Sequence, residues 1–80
     1  MKTNNLDHKP RLQVWRFIQE VDRRRKAQGM SLNEIADLLD VTKVFYWRLV
    51  NGYFKDMRLS YNTVINAEDF FDIDAKEYMK

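Results

Sequence analysis

The stretch SLNEIADLLDVTKVFYWRLVNG, residues 31–52, predicts two short helices joined by a tight turn. Ser31 is a side-chain acceptor placed to cap the first helix, and Glu34 follows three residues later, which is the spacing of a capping box. Thr42 offers a second N-cap just before the second helix. Gly52 is a natural stop at the end of that helix. The local signals in this stretch therefore predict a helix, a turn and another helix.

Both predicted helices carry an apolar stripe at helical spacing. The stripe residues are Ile35, Ala36 and Leu39 in the first helix, and Tyr46, Leu49 and Val50 in the second. The small Ala36 allows the two helices to approach closely, so they can cross at the steep angle of a helix-turn-helix with the second helix projecting outward. An αα-hairpin inside another kind of helical bundle is the alternative.

The spacing of these residues resembles the phage-repressor and Cro type of helix-turn-helix. The resemblance covers roughly residues 12–79 and is carried by Ile35-Ala36, Leu39, Asp40-Val41-Thr42, Tyr46, Arg48-Leu49, Gly52, Phe71-Asp72-Ile73-Asp74 and Glu77-Tyr78-Met79. Two features depart from the family. Asp40 replaces the usual turn glycine, and the connection over residues 52–64 is longer than usual. Aspartate tolerates left-handed backbone better than most residues, so we expect the turn to be kept.

Three more helices are predicted outside the central pair. The first runs from Pro10 to about Gln28 and stops at Gly29, and its apolar positions are Leu12, Val14, Trp15, Phe17, Ile18 and Val21. Another follows a cap at Ser60 and carries Tyr61, Val64, Ile65, Phe70 and Phe71. A last turn follows Asp74, with Ala75, Tyr78 and Met79 closing over the core. With the resemblance, this pattern implies an all-α, lambda-repressor-like bundle of five helices over residues 10–80, preceded by a flexible arm, residues 1–9.

Composition narrows the class of protein. Eighty residues make one domain, and the lack of cysteine excludes disulfides and thiolate metal sites. No apolar run approaches the roughly 20 residues of a membrane helix, and the N-terminus lacks a signal-peptide core, so we expect a cytoplasmic protein. His8 is the only histidine, so no nucleophile and base pair can be assembled. Asp72 and Asp74 are spaced like paired catalytic carboxylates, but they flank a predicted helix start, where caps and dipole complements are the ordinary explanation. We expect no enzyme activity, no cofactor and no metal.

Charge is distributed unevenly along the chain. Residues 1–29 carry eight Lys or Arg against three Asp or Glu, a net charge of +5, whereas residues 60–80 carry two against five, a net charge of −3. A basic front and an acidic tail suit a protein that presents one side to phosphates. A solvated charged surface is the alternative. Likewise the basic run at residues 23–26 either complements the helix dipole or contacts phosphates.

The resemblance also implies which residues contact DNA. In that family the first positions of the second helix and a position one turn later face base edges, and here these are Lys43, Val44 and Arg48, with Trp47 beside them. The planar fork of Arg48 suits guanine O6 and N7. The residues predicted to contact the DNA backbone are Asn33, Thr42, Asn51, Lys55, Arg23 and Arg24.

We therefore predict a sequence-specific regulator of the phage or plasmid repressor type, which binds a palindromic site on double-stranded DNA as a homodimer. A DNA-binding accessory factor for recombination, replication or conjugation would use the same surface. The surface aromatics Phe45, Trp47, Tyr53 and Phe54 leave another possibility open. They either pack on deoxyribose and thymine methyls or form a protein-binding patch, in which case the domain is a protein-interaction module.

Overall fold

The computed structural model describes residues 11–53 and 58–80. Within these ranges the chain forms four α-helices and no β-strand, which confirms the all-α class for this part of the chain. The helices are α1 (Val14–Ala27), α2 (Leu32–Leu39), α3 (Lys43–Val50) and α4 (Tyr61–Phe71). The last predicted helix is a 3-10 helix, η1 (Ala75–Tyr78), rather than an α-helix. Its hydrogen bonds join residues three apart, as in the bond from the Met79 N–H to the Lys76 carbonyl. The predicted arm lies outside the described residues.

Side-chain caps start three of the α-helices where the sequence placed them. Ser31 Oγ accepts from the Glu34 N–H at 3.1 Å, and the Glu34 carboxylate accepts from the Ser31 N–H at 2.8 Å, which completes the capping box. Thr42 caps α3, and Ser60 caps α4 by accepting from the Thr63 N–H at 3.2 Å. Each cap satisfies a backbone donor that the helix itself leaves unpaired.

The turn between α2 and α3 is kept without glycine. Asp40 closes α2 in the left-handed region, with φ of 59° and ψ of 46°. The next residue, Val41, donates its N–H to the Ala36 carbonyl at 3.0 Å, so the end of the helix remains hydrogen-bonded. The expectation that an aspartate would maintain this turn is confirmed. Gly29, two residues after the end of α1, also adopts a left-handed φ of 71°.

All four α-helices and η1 contribute to the core. The main cluster contains Phe17, Val21, Ile35, Ala36, Leu39, Tyr46, Ala67, Phe71, Ile73 and Ala75. A smaller cluster of Val14, Ile18 and Leu49 joins the start of α1 to the end of α3. The predicted core stripes of α1, α2 and α3 are therefore largely confirmed. Trp15 is the exception, since its side chain is 43% exposed.

The start of α1 differs from the prediction. The helix begins at Val14, because the residues before it pair with the C-terminal segment. Leu12 forms an antiparallel bridge with Met79, and the Gln13 N–H donates to the Tyr78 carbonyl at 2.7 Å. These backbone bonds hold Leu12 in an extended conformation, while its side chain packs against both apolar clusters.

The buried face of α4 also differs from the prediction. Tyr61 and Phe70 were predicted among the apolar positions of this helix. Tyr61 is 79% exposed and Phe70 is 48% exposed, so neither side chain is in the core. The helix instead buries Thr63, Ala67 and Phe71, which are spaced four residues apart. A threonine can occupy this face because its hydroxyl donates to the Leu39 carbonyl of α2 at 2.7 Å.

Candidate nucleic-acid interface

The outward face of α3 carries the four side chains predicted to read bases. Val44 is 57% exposed and Trp47 is 46% exposed, and the cations Lys43 and Arg48 are exposed as well. At 3.6 residues per turn, the order around the helix is Lys43, Trp47, Val44 and Arg48, within an arc of about 140°. The structure therefore brings all four onto one surface, which we call the α3 face.

The opposite side of α3 is held against α1 by a buried polar contact. Tyr46 has no exposed surface, and its hydroxyl donates to Asp22 Oδ1 at 2.8 Å. Asp22 is itself only 4% exposed, and it also accepts from Arg25 Nε at 2.7 Å and lies 3.3 Å from Lys26 Nζ. The contact ties the middle of α3 to α1, and so determines which side of α3 faces outward.

The surroundings of Asp22 and Tyr46 shift the pKa values of both groups. Burial alone would raise the pKa of Asp22, but hydrogen bonds from Arg25 and Tyr46, together with the positive charge of Arg25, lower it below its ordinary value. Burial and the bond to Asp22 raise the pKa of Tyr46 above its ordinary value. At neutral pH an ionised carboxylate therefore accepts from a neutral phenol.

A second contact from α1 holds the end of α3. Gln19 Nε2 donates to the Val50 carbonyl at 2.7 Å, which satisfies an acceptor that the helix terminus leaves open. Sequence reasoning missed both Gln19 and Asp22. Their spacing of three residues places two polar side chains on one face of α1, but their partners lie 31 and 24 residues away in sequence.

Three of the predicted DNA-backbone residues lie at or near helix ends on the surface. Thr42 and Asn51 are exposed at the two ends of α3, and Asn33 is exposed near the start of α2. The Asn51 amide donates to the Trp47 carbonyl at 2.8 Å, so it also serves as a C-terminal cap of α3. Lys55 lies outside the described residues.

Arg23 and Arg24 have partners inside the protein. Both pair with Glu20, with N–O distances of 2.5 Å and 2.6 Å, and Arg24 also donates to the Phe71 carbonyl at 2.6 Å. Hydrogen bonds from Arg23 and then Arg24 lower the pKa of Glu20 to about 2. The basic run of α1 is thus compensated by acidic residues of the same helix, and Arg24 joins that helix to the end of α4. Phosphate contact by Arg23 and Arg24 stays a prediction.

Two of the four surface aromatics form a pair, in which Trp47 of the α3 face contacts Tyr53 just beyond the end of α3. The rings of Trp47 and Tyr53 pack edge to face, with centroids 5.7 Å apart and planes at 70°, and Tyr53 is 64% exposed. Phe45 was predicted to be a surface aromatic, but it does not lie on this surface. It is half-buried against the cluster of Val14, Ile18 and Leu49, because it lies on the side of α3 that faces α1. Phe54 lies outside the described residues.

Other surfaces of the described chain offer little chemistry. A shallow open groove between α1 and η1 is lined by Trp15, Arg16, Gln19, Glu20, Arg23 and Tyr78. Asp74 caps η1 by accepting from the Lys76 N–H at 2.9 Å, and Asp72 closes α4 in the left-handed region. Across residues 11–53 and 58–80, acidic residues and histidine form no cluster of three suited to a metal ion. No helix in the same ranges has the length and apolar content needed to cross a membrane.

No family model, curated protein or solved structure matches the chain.

Proposed function

We propose that this protein is a cytoplasmic, sequence-specific regulator that binds double-stranded DNA by placing α3 in the major groove. The proposal includes the assignment of α2 and α3 as a helix-turn-helix of the phage-repressor and Cro type. One observation carries it: the exposed side of α3 bears two cations and two apolar side chains, while α1 holds the buried side in place. A helix presented in this way has the shape and charge that major-groove recognition requires.

The dimensions and charge of α3 support this role. With its side chains an α-helix is about 10–12 Å across, which fits the width of the major groove, about 12 Å. Lys43 and Arg48 form no ion pair with any described residue, so both cations are available to DNA. We assign Arg48 to guanine, because its fork can donate to O6 and N7 together. Lys43 reaches either a base acceptor or a phosphate.

The helix ends supply the contacts that position the protein. The N-terminus of α3 carries partial positive charge, and Thr42 and Asn33 lie at or near helix starts where phosphates bind favourably. One such domain makes few base contacts. We therefore propose a homodimer on a palindromic site whose half-sites lie about one helical turn apart. A repressor and an accessory factor for DNA transactions would both use this surface.

Selection from a pool of random duplexes tests the proposal directly. We expect an enriched palindromic sequence whose affinity falls steeply with salt, since phosphate contacts release counterions. Arg48→Ala should weaken binding to that sequence by about fivefold to 150-fold and relax discrimination at one base pair. Lys76→Ala is the matched control, because it removes the same charge from the exposed surface of η1. Equal losses from the two variants, or no enriched duplex, would refute the proposal.

The exposed pair of Trp47 and Tyr53 favours a second candidate, a protein-interaction module. Aromatic side chains of this kind anchor protein interfaces as well as DNA contacts. The dependence of DNA affinity on salt concentration distinguishes the two candidate functions. Weak DNA binding that hardly changes between low and physiological salt, with no preferred sequence, would favour the protein-binding candidate.

A further inference from the structure

We infer that Val44 and Trp47 form a reading surface for thymine C5-methyl groups, so that the preferred duplex has thymine opposite the centre of α3. This inference rests on the proposed function and adds the base to which the apolar part of the α3 face is matched.

Charge and apolar surface are segregated across the α3 face. Trp47 and Val44 occupy the middle of the exposed arc, and Lys43 and Arg48 lie at its two edges. Both central side chains are about half exposed, at 46% and 57%. If Lys43 and Arg48 contact phosphates and guanines, the apolar side chains between them, Trp47 and Val44, must lie against the base pairs.

The major groove offers one apolar partner for that centre. Base edges there present hydrogen-bond acceptors and amino donors, and only thymine adds a methyl group. Burying Val44 or Trp47 against a guanine or cytosine edge would desolvate polar atoms without giving them a hydrogen bond. Packing against a methyl group removes apolar surface from water on both sides of the contact. The two edge cations supply the charge complementarity that draws this apolar centre onto DNA.

One contact within the protein orients the Trp47 ring for such packing. The ring packs edge to face with Tyr53, with the two centroids 5.7 Å apart. A large ring that is already oriented loses less freedom on binding than a mobile side chain. Tyr53 therefore acts as a positioning residue for Trp47, and its exposed ring extends the apolar surface beyond the end of α3.

Deoxyuridine substitution tests the inference with a single-methyl change. In the duplex enriched by selection, each thymine is replaced in turn by deoxyuridine, which keeps base pairing and both carbonyl oxygens. We expect a loss of about fourfold at each methyl that Val44 or Trp47 contacts, the amount associated with one buried carbon. Thymines outside the protected footprint serve as the control positions on the DNA.

Variants of the protein then identify the side chain responsible. With Val44→Ala, deoxyuridine at the position read by Val44 should cause no further loss, because the contact is already gone. Trp47→Ala should behave in the same way at its own position. Tyr61→Ala, which removes an exposed aromatic from α4, should keep the full sensitivity to each methyl. Circular dichroism melting of each variant confirms that it is folded.

The outcomes separate this inference from the proposed function. A selected duplex without thymine opposite α3, or affinity that deoxyuridine leaves unchanged at every position, would overturn the methyl reading while DNA binding stands. Methyl sensitivity that persists fully in both Val44→Ala and Trp47→Ala would overturn the assignment to these residues. Failure to enrich any duplex would overturn the proposed function and this inference with it.

Discussion

Removing one hydroxyl group, in Tyr46→Phe, tests whether the contact between α1 and α3 stabilises the domain. The substitution keeps the buried ring and deletes the donor to Asp22, whose carboxylate lies 2.8 Å away. Asp22 keeps its bonds to Arg25 and Lys26, so the variant does not leave an unpaired buried charge. The measured change therefore reports the hydrogen bond with little contribution from packing.

The expected magnitude follows from the type of bond. A hydrogen bond to a charged group contributes about 1.5–3 kcal/mol, and the full burial of Tyr46 places this bond away from competing water. We expect the free energy of unfolding to fall by that amount. For a chain of 80 residues this lowers Tm by about 9–18 °C.

Urea unfolding followed by circular dichroism measures the effect. The midpoint should fall while the m-value stays constant, because the surface exposed on unfolding hardly changes. Tyr61→Phe is the matched control: it removes a hydroxyl from an aromatic that is 79% exposed, and it should leave stability within about 0.5 kcal/mol. A Tyr46→Phe variant as stable as this control would refute the reasoning that the buried bond holds α3.

Acid gives an independent check on the same contact. The pKa of Asp22 is lower in the folded protein than its ordinary value of 3.8, so its contribution to stability is present above about pH 4 and is lost as pH falls through the folded pKa. In Tyr46→Phe one of the bonds that lowers this pKa is gone. We expect stability to fall less steeply below pH 4 in the variant than in the wild type. Parallel acid slopes for the two proteins would contradict the proposed cause of the shift.

Four further substitutions at three positions address the turn, the α4 face and the α3 face, all measured by urea unfolding. Asp40→Gly should not lower stability and Asp40→Val should lower it by about 1–2 kcal/mol, since the left-handed backbone at this position penalises a branched side chain; equal values would count against the turn geometry. Thr63→Val should cost about 1–2 kcal/mol, because the Leu39 carbonyl loses its buried donor, and an unchanged midpoint would show that the bond is unimportant. Trp47→Ala should lower stability by no more than about 1.5 kcal/mol, the contribution of its pair with Tyr53, whereas a loss of about 3–5 kcal/mol would show that the ring packs in the core.

Much of the local architecture was predictable from the sequence, because it depends on residues within one or two helical turns. The capping box of Ser31 and Glu34, the caps at Thr42 and Ser60, and the left-handed turn at Asp40 are all short-range features. Helical periodicity also predicted that Tyr46 is buried and Trp47 exposed. Which side chains share the α3 face follows from that periodicity alone.

Tertiary structure decided which polar groups could be buried and which apolar groups stayed outside. Thr63 enters the core only because the Leu39 carbonyl lies opposite it, while Tyr61 remains exposed because α4 presents a different face to α2. Similarly, Leu12 leaves the helical pattern because its backbone pairs with Met79. Side-chain periodicity carries no information about such partners, since they come from distant parts of the chain.

The same limit applies to the candidate interface. The sequence identified the side chains of the α3 face, but the contacts that hold this face outward come from Asp22 and Gln19 on α1. From sequence, Asp22 would be assigned to the surface, because it is a charged residue next to a basic run. Its burial becomes favourable only in the folded chain, where the Tyr46 phenol and the Arg25 guanidinium both donate to its carboxylate. Periodicity along one helix determined which residues can face DNA, and the packing of α1 against α3 decided how firmly they are held there.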